Sequence, residues 1–332
     1  MANSLPFTLD ELDRAASLVA QFVPPTPQFA WPMLANELGA DVWVKHENHT
    51  PTGAFKVRGG LVYVDRHVAE SAGRTEQPKG LISATRGNHG QSIAFAGRAF
   101  GVDVQIVVPH GNSPGKNAAM RSFGATLIEA GRDFQQAREH AAELADQRDL
   151  QMVPSFHPDL VLGVATYARE FFTGVPTLDI AYVPIGMGSG ICGMIAVRDL
   201  LGLSTEIVGV VAANAPAMAL SFAAGRAVDT DDASTFIDGV ACRVPDAAAV
   251  AAVNAGASRV IQISEDICAE AVRVLYRTTH NLTEPSGAVA LAGLMTEREQ
   301  QQGKRVGIVL SGGNLDDHLL TEILAGRTPT VG

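Results

Sequence analysis

Four short stretches carry residue types able to do chemistry. They are "HENHTPTGAFKVRGG" (46–60), "SATRGNHG" (83–90), "PIGMGSGICG" (184–193) and "SGGN" (311–314). In the first, Lys56 stands where a Thr/Gly turn gives way to a helical pattern. Taken alone it reads as a solvated helix lysine. Held among apolar neighbours and helix N-termini, its amine would have a lowered pKa and could form a Schiff base with a carbonyl cofactor. In the third, Gly188, Gly190 and Gly193 fit the spacing G-x-G-x-x-G between an apolar run (180–185) and a helical segment (191–201). Glycines let backbone N–H groups approach an anion, and a helix N-terminus favours negative charge, so this loop is expected to bind phosphate.

A dinucleotide would ask for more. It needs an acidic residue about 20 positions on, at the end of the next strand, for the ribose hydroxyl. The next strand-like run ends in Val211-Ala212-Ala213, and Glu206 sits at its start. The nicotinamide oxidoreductase reading is therefore disfavoured, and a different phosphate carrier is required.

These residues must be positioned by a regular framework. Strand-like runs at 41–47, 80–85, 103–109 and 125–131 alternate with helical patterns at 54–71, 88–101, 113–124 and 133–149. Further strands at 180–185, 206–211 and 305–314 each run into a loop. This alternation predicts an α/β fold with parallel sheets. Ligands bind at strand ends in such sheets, and that is where the four stretches fall.

The 332 residues suffice for two lobes with real cores. A net charge of −10 with no basic cluster argues against nucleic acid or an anionic membrane as partner. The first sixteen residues lack the basic start and apolar run of a signal peptide. The uncharged runs 180–197 and 207–225 contain Pro184, Asn214, Pro216 and several glycines, and read as strand, turn and helix rather than membrane spans. Cys192, Cys242 and Cys268 form no C-x-x-C pair, so neither disulfide framework nor zinc site is indicated, and a cytoplasmic location is expected.

The sequence resembles the pyridoxal-phosphate enzymes of the tryptophan synthase β-like fold (fold type II), and within them the serine/threonine dehydratase and serine racemase branch. The resemblance covers residues 22 to 320 and implies two doubly wound open-sheet domains. A large one would comprise 1–52 and 154–332, and a small mobile one, 53–153, would be inserted in it. "TGAFKVRG" resembles the lysine motif, with Lys56 as the Schiff-base residue and Phe55 against the cofactor. "TRGNHGQS" resembles the Ser-x-Gly-Asn-His loop, which puts Asn88 on the 3′-oxygen. Gly186, Met187, Gly188, Ser189 and Gly190 resemble the phosphate loop. Ser311 would face the pyridine nitrogen, and Glu284 of "EPSGA" would lie near the cofactor. Thr85, Arg86, Gly87, Asn88 and His89 would bind the substrate carboxylate, with His89 orienting the loop. The implied reaction is β-elimination from a β-hydroxy-α-amino acid to a 2-oxo acid and ammonia, with Lys56 as general base. Racemisation and β-replacement are the alternatives within the fold, and a homodimer is expected.

The sequence departs from that pattern in several places. Arg86 replaces a small residue that is serine in racemases, and arginine stays charged, so racemisation is disfavoured. Arg86 could pair with an acidic substrate, stack on an aromatic one, or turn away into a structural ion pair. "TGAFKVRG" lacks the Lys-Asp-Arg continuation of replacement enzymes. Val211 and Ala217 stand where relatives carry acidic residues, so no divalent metal is expected there. Val164 and Ala165 suggest a more apolar pocket, which with Arg86 points to an aryl substrate such as phenylserine. Asp316-Asp317-His318 is expected to cap a helix rather than bind metal. No C-terminal regulatory domain is expected.

Overall fold

The computed structural model describes residues 7–71 and 79–330. Part of the segment on which the signal-peptide reading rests, residues 1–6, lies outside the described residues, as do the outer ends, 1 and 332, of the expected large domain. Among the described residues, ten strands form two sheets. They are β1 (Gln28–Ala30), β2 (Asp41–His46), β3 (Leu81–Ala84), β4 (Val104–Val108), β5 (Thr126–Glu129), β6 (Gln151–Met152), β7 (Ile180–Pro184), β8 (Glu206–Ala212), β9 (Arg259–Ile263) and β10 (Arg305–Leu310). The first sheet has the order β1-β2-β10-β7-β8-β9, the second β5-β4-β3-β6. All pairings are parallel except β1 with β2.

The helices are α1 (Leu9–Val19), α2 (Pro32–Leu38), α3 (Lys56–Ser71), α4 (Asn88–Phe100), α5 (Pro114–Ser122), α6 (Phe134–Arg148) and α7 (Pro158–Gly174). There follow α8 (Ser189–Leu200), α9 (Ala217–Ala224), α10 (Ala247–Gly256), α11 (Glu265–Thr279), α12 (Pro285–Thr296) and α13 (Asp317–Leu324). Among the described residues, no helix is long and apolar enough to cross a membrane.

Both sheets are covered on two faces, which is why their strands read as unbroken apolar runs. In β7, Ala181 and Val183 join one core with α7 and α8, while Ile180 and Tyr182 join another with α11 and α12. In the second sheet, Leu81 and Ile106 share the first core with α3 and α4, while Ile82 and Val107 pack on α6. Helix α3 lies between α4 and α7 at close range. A Cβ on Gly163 would stand 2.2 Å from the Arg58 carbonyl oxygen, so only glycine fits there.

A buried charge cluster fixes the start of α3. The Arg58 guanidinium bonds Glu47 at 2.7 and 3.0 Å and Glu170 at 2.6 and 3.0 Å. Lys45 adds a 2.6 Å bond to Glu170. The cluster thereby joins β2, the loop after it, α3 and α7.

Candidate active site

The four stretches meet where the loops after β2, β3, β7 and β10 converge. Phe55 N–H donates to the Ser311 carbonyl at 3.0 Å, and Ala54 bridges Gly312. The loop before α3 is thus sewn to the end of β10, and Lys56 is the first residue of α3. Ser92 of α4 donates to the Lys56 carbonyl at 2.6 Å. The Lys56 amine lies 5.0 Å from the Phe55 ring centroid. Burial lowers its pKa, and the Glu284 charge offsets part of that effect. A lysine in that setting is a competent nucleophile and base.

The glycine loop lies against the same point. Phe55 meets Tyr167 edge-on at 6.0 Å, and the Tyr167 hydroxyl donates to the Gly190 carbonyl at 3.1 Å. Gly188, with φ of 102°, caps α8, and the buried Ser189 opens the helix. The N–H groups of that first turn have no intrahelical partners. A Cβ on Gly186 would stand 2.5 Å from the Gly239 carbonyl oxygen, so the loop is held tight against its neighbour. Met187 touches Cys242, sulfur to sulfur, at 3.5 Å. The result is a cradle of backbone donors at the end of β7.

The loop 85–89 closes the other side. Thr85 Oγ1 accepts the Gly87 N–H at 3.0 Å and the Gly90 N–H at 3.4 Å. Asn88 Nδ2 donates to Glu284 Oε1 at 2.6 Å. Asn314 Nδ2 donates to Asn88 Oδ1 and to the Thr52 carbonyl, each at 2.8 Å. Burial, then the nearby Lys56, pushes the His89 pKa down to about 3, so His89 is a neutral imidazole. Ser311 is buried and makes a long 3.3 Å hydrogen bond to the Ser286 carbonyl. Among the described residues, buried Nε2 of His89, Oε2 of Glu284 and Oγ of Ser286 find no hydrogen-bond partner.

Arg86 is exposed and enters no ion pair among the described residues, so it is not the structural ion-pair partner considered from sequence. It lines a cleft of about 180 Å³ with His110, Asn112, Ser113, Asp238 and Asp316. Lys116 of α5 is buried behind Gly87 and paired with Asp238. Ser113 donates to Asp316 at 2.5 Å. Asp316 occupies the N-cap position of α13, but its side chain does not cap that helix and reaches Ser113 instead. Val164 and Ala165 belong to helix packing, in contact with Gly59 and Gly193. Val211 and Ala217 are buried apolar side chains. Among the described residues, no group of three His, Cys, Asp or Glu could hold a metal ion.

Sequence reasoning missed Lys116, Asp238 and the linking role of Asn314. The signal for Lys116 was a lysine in the first turn after Ser113-Pro114, but its partner lies more than a hundred residues on.

Comparison with known proteins bears on this geometry. Residues 19–312 match the family described as "Pyridoxal-phosphate dependent enzyme". The chain is similar to an L-threonine ammonia-lyase of Thermotoga maritima, 28% identical over 96% of this chain and 78% of that relative. It is similar to an L-threo-3-hydroxyaspartate ammonia-lyase of Saccharomyces cerevisiae, 29% identical over 97% of this chain and 98% of that one. The processed threonine deaminase isoform 2 of Solanum lycopersicum superposes with a TM-score of 0.86 at 26% identity, covering 98% of this chain and 95% of that one.

Proposed function

Because the chain belongs to the family of pyridoxal-phosphate dependent enzymes, we propose that it removes water from a β-hydroxy-α-amino acid and yields a 2-oxo acid and ammonia. The observation that carries this reading is the desolvated Lys56 amine beside the glycine cradle that opens α8. The ammonia-lyases that resemble the chain over nearly its whole length support it.

The residues fit the cofactor. The backbone of Gly186, Met187, Gly188, Ser189 and Gly190 would take the phosphate, which a helix N-terminus favours. Asn88 has a second amide hydrogen for the 3′-oxygen, Ser311 a hydroxyl for the ring nitrogen, and Phe55 an apolar face. When bound, pyridoxal 5′-phosphate supplies an aldehyde for the lysine and an electron sink at the substrate α-carbon.

The chain's own residues do the rest. Lys56, whose pKa burial lowers, takes the α-proton. Backbone donors of 85–89 at the start of α4 hold the substrate carboxylate, with Thr85 fixing the turn. His89, half-buried in that loop, is a neutral imidazole and no proton donor there. Arg86 offers no group that could return a proton on the opposite face, which disfavours racemisation. The polar cleft beside Arg86 supports an acidic or hydroxylated β-substituent over an aryl one such as phenylserine.

The same reading has three further parts. Residues 53–153 act as a smaller mobile unit set into 1–52 and 154–332, supported by a second sheet that lies wholly within 81–152. Two copies pair as a homodimer, supported by the exposed apolar side chains of Phe29 and Met33. The enzyme works in the cytoplasm, supported by three buried free cysteines.

The test is 2-oxo acid release from L-serine, L-threonine, threo-3-hydroxyaspartate and phenylserine, with Lys56→Ala as control. Turnover of at least one, abolished in the variant, is the expected result. A protein that holds pyridoxal phosphate yet releases oxo acid from none of them overturns the reading.

A further inference from the structure

Glu284 is 2% exposed and stands at the N-cap position of α12, yet its side chain does not cap the helix. Its main chain is fixed by the bond from Glu284 N–H to the Gly312 carbonyl at 3.1 Å. Its carboxyl is oriented by a chain of amides whose direction can be read without ambiguity. The Thr52 carbonyl can only accept, so the Asn314 atom facing it is the NH₂ group. That group also donates to Asn88, which must present its oxygen there and its own NH₂ to Glu284. Glu284 Oε1 is therefore an acceptor. A proton on this carboxyl belongs on Oε2, the buried oxygen that has no partner.

We propose that Glu284 is a second catalytic residue, carrying a proton on Oε2 and delivering it to the substrate β-hydroxyl as that group leaves. This rests on the dehydratase reading above.

The charged and titratable groups facing Glu284 come from several elements. Lys116 comes from α5, Asp238 from the 3-10 turn Asp238–Val240 and Lys56 from α3, while the neutral Ser286 hydroxyl of α12 lies beside the carboxyl without a hydrogen bond of good geometry to it. Lys116 and Asp238 are paired, and their effects on Glu284 oppose each other. Burial therefore decides, and it raises the Glu284 pKa to about 7. The other candidates near the site are poor acids. His89 is held neutral, and the Ser311 hydroxyl is an alcohol engaged with Ser286.

The proton count closes. Lys56 takes the α-proton, and the electron pair of that C–H bond becomes the second Cα–Cβ bond. The Cβ–O bond breaks with its pair going to oxygen, which takes the Glu284 proton and leaves as water. Lys56 is then an ammonium and Glu284 a carboxylate, and solvent returns the proton from one to the other after release.

The experiment compares the wild type with Glu284→Gln, both reconstituted with pyridoxal phosphate. Each is assayed on the β-hydroxy amino acid the wild type prefers and on β-chloro-L-alanine, whose chloride leaves without a proton. Glutamine keeps the acceptor for Asn88 and loses the acid. The expected result is a loss of about 100-fold or more in kcat on the hydroxy substrate, and a change within about threefold on the chloro substrate. Cofactor affinity and its absorbance band are expected to match the wild type. Glu284→Asp, an acid on a shorter arm, is expected to recover part of the hydroxy turnover. An equal loss on both substrates, a loss of cofactor binding, or full hydroxy activity in Glu284→Gln would each overturn the proposal. A wild type that turns over the chloro substrate and no hydroxy amino acid overturns the dehydratase reading, and the proposal with it.

Discussion

Arg58 and Glu47 form a two-point ion pair, at 2.7 and 3.0 Å, with neither side chain exposed to solvent. Arg58 lies two residues after Lys56, so the pair sets where α3 begins and hence where the reactive amine stands. A fully buried pair is not a large net source of stability, because both charges give up their water. Its value here is geometric, since Glu47, Glu170 and Lys45 leave the guanidinium a single orientation.

Arg58→Met removes one member and leaves Glu47 buried without its cation. The expected cost is about 3–5 kcal/mol of folding stability, read from urea unfolding. Arg58→Lys is expected to recover only part of it, because an ammonium cannot make the paired contacts of the guanidinium. Unchanged stability in both variants would show that the cluster is not needed to hold α3.

Arg86→Ala is expected to leave stability within about 0.5 kcal/mol, since Arg86 is exposed and has no ion pair among the described residues. Its effect should appear in selectivity. A fall of about tenfold or more in kcat/KM for a substrate with a second carboxylate, with L-serine little changed, is the expected steady-state result. Equal effects on both substrates would remove Arg86 from side-chain recognition.

Gly186→Ala places a methyl 2.5 Å from the Gly239 carbonyl oxygen, closer than the two can come, so the loop must shift. Pyridoxal phosphate affinity, titrated by absorbance on the apoprotein, is expected to weaken about tenfold or more. Undiminished affinity would show that this segment does not carry the phosphate.

The pH dependence of stability has two opposing parts. Glu284 is raised from 4.5 to about 7, so between those values the folded state holds a proton that the unfolded state has lost. Its contribution is full below 4.5 and fades as pH rises through about 7. His89 and His46 are depressed by burial from 6.5 to about 3 and about 4, so their contributions fade as pH falls below 6.5. Glu284→Gln removes the first part only. Its melting temperature should rise more steeply than that of the wild type between pH 5 and 7, and parallel slopes would contradict this assignment.

Much of this was legible in the sequence, because the buried parallel strands β2, β3, β4, β7, β8 and β10 announce themselves as apolar runs between glycine-rich turns. What was not legible lacked such a signal. β6 is only two residues long, and β9, at the sheet edge, has only its last residue, Ile263, fully buried. Helix α7 is buried nearly all round, so its sequence shows no polar face to count from, and Val164 and Ala165 were read as pocket wall when they are helix contacts. At the site, the fold brings residues of the short motifs close to one another. Lys116 and Asp238 were not foreseen, because nothing local in either segment names its partner.

The hydrogen-bond chain from Thr52 through Asn314 and Asn88 to Glu284 has a kinetic consequence. Its links join residues 262, 226 and 196 positions apart. Such contacts close late, after the loops they span have paid their closure entropy. A chain refolding from denaturant should therefore regain its helical signal well before its turnover. The working enzyme reports that these long-range contacts of the fold have formed.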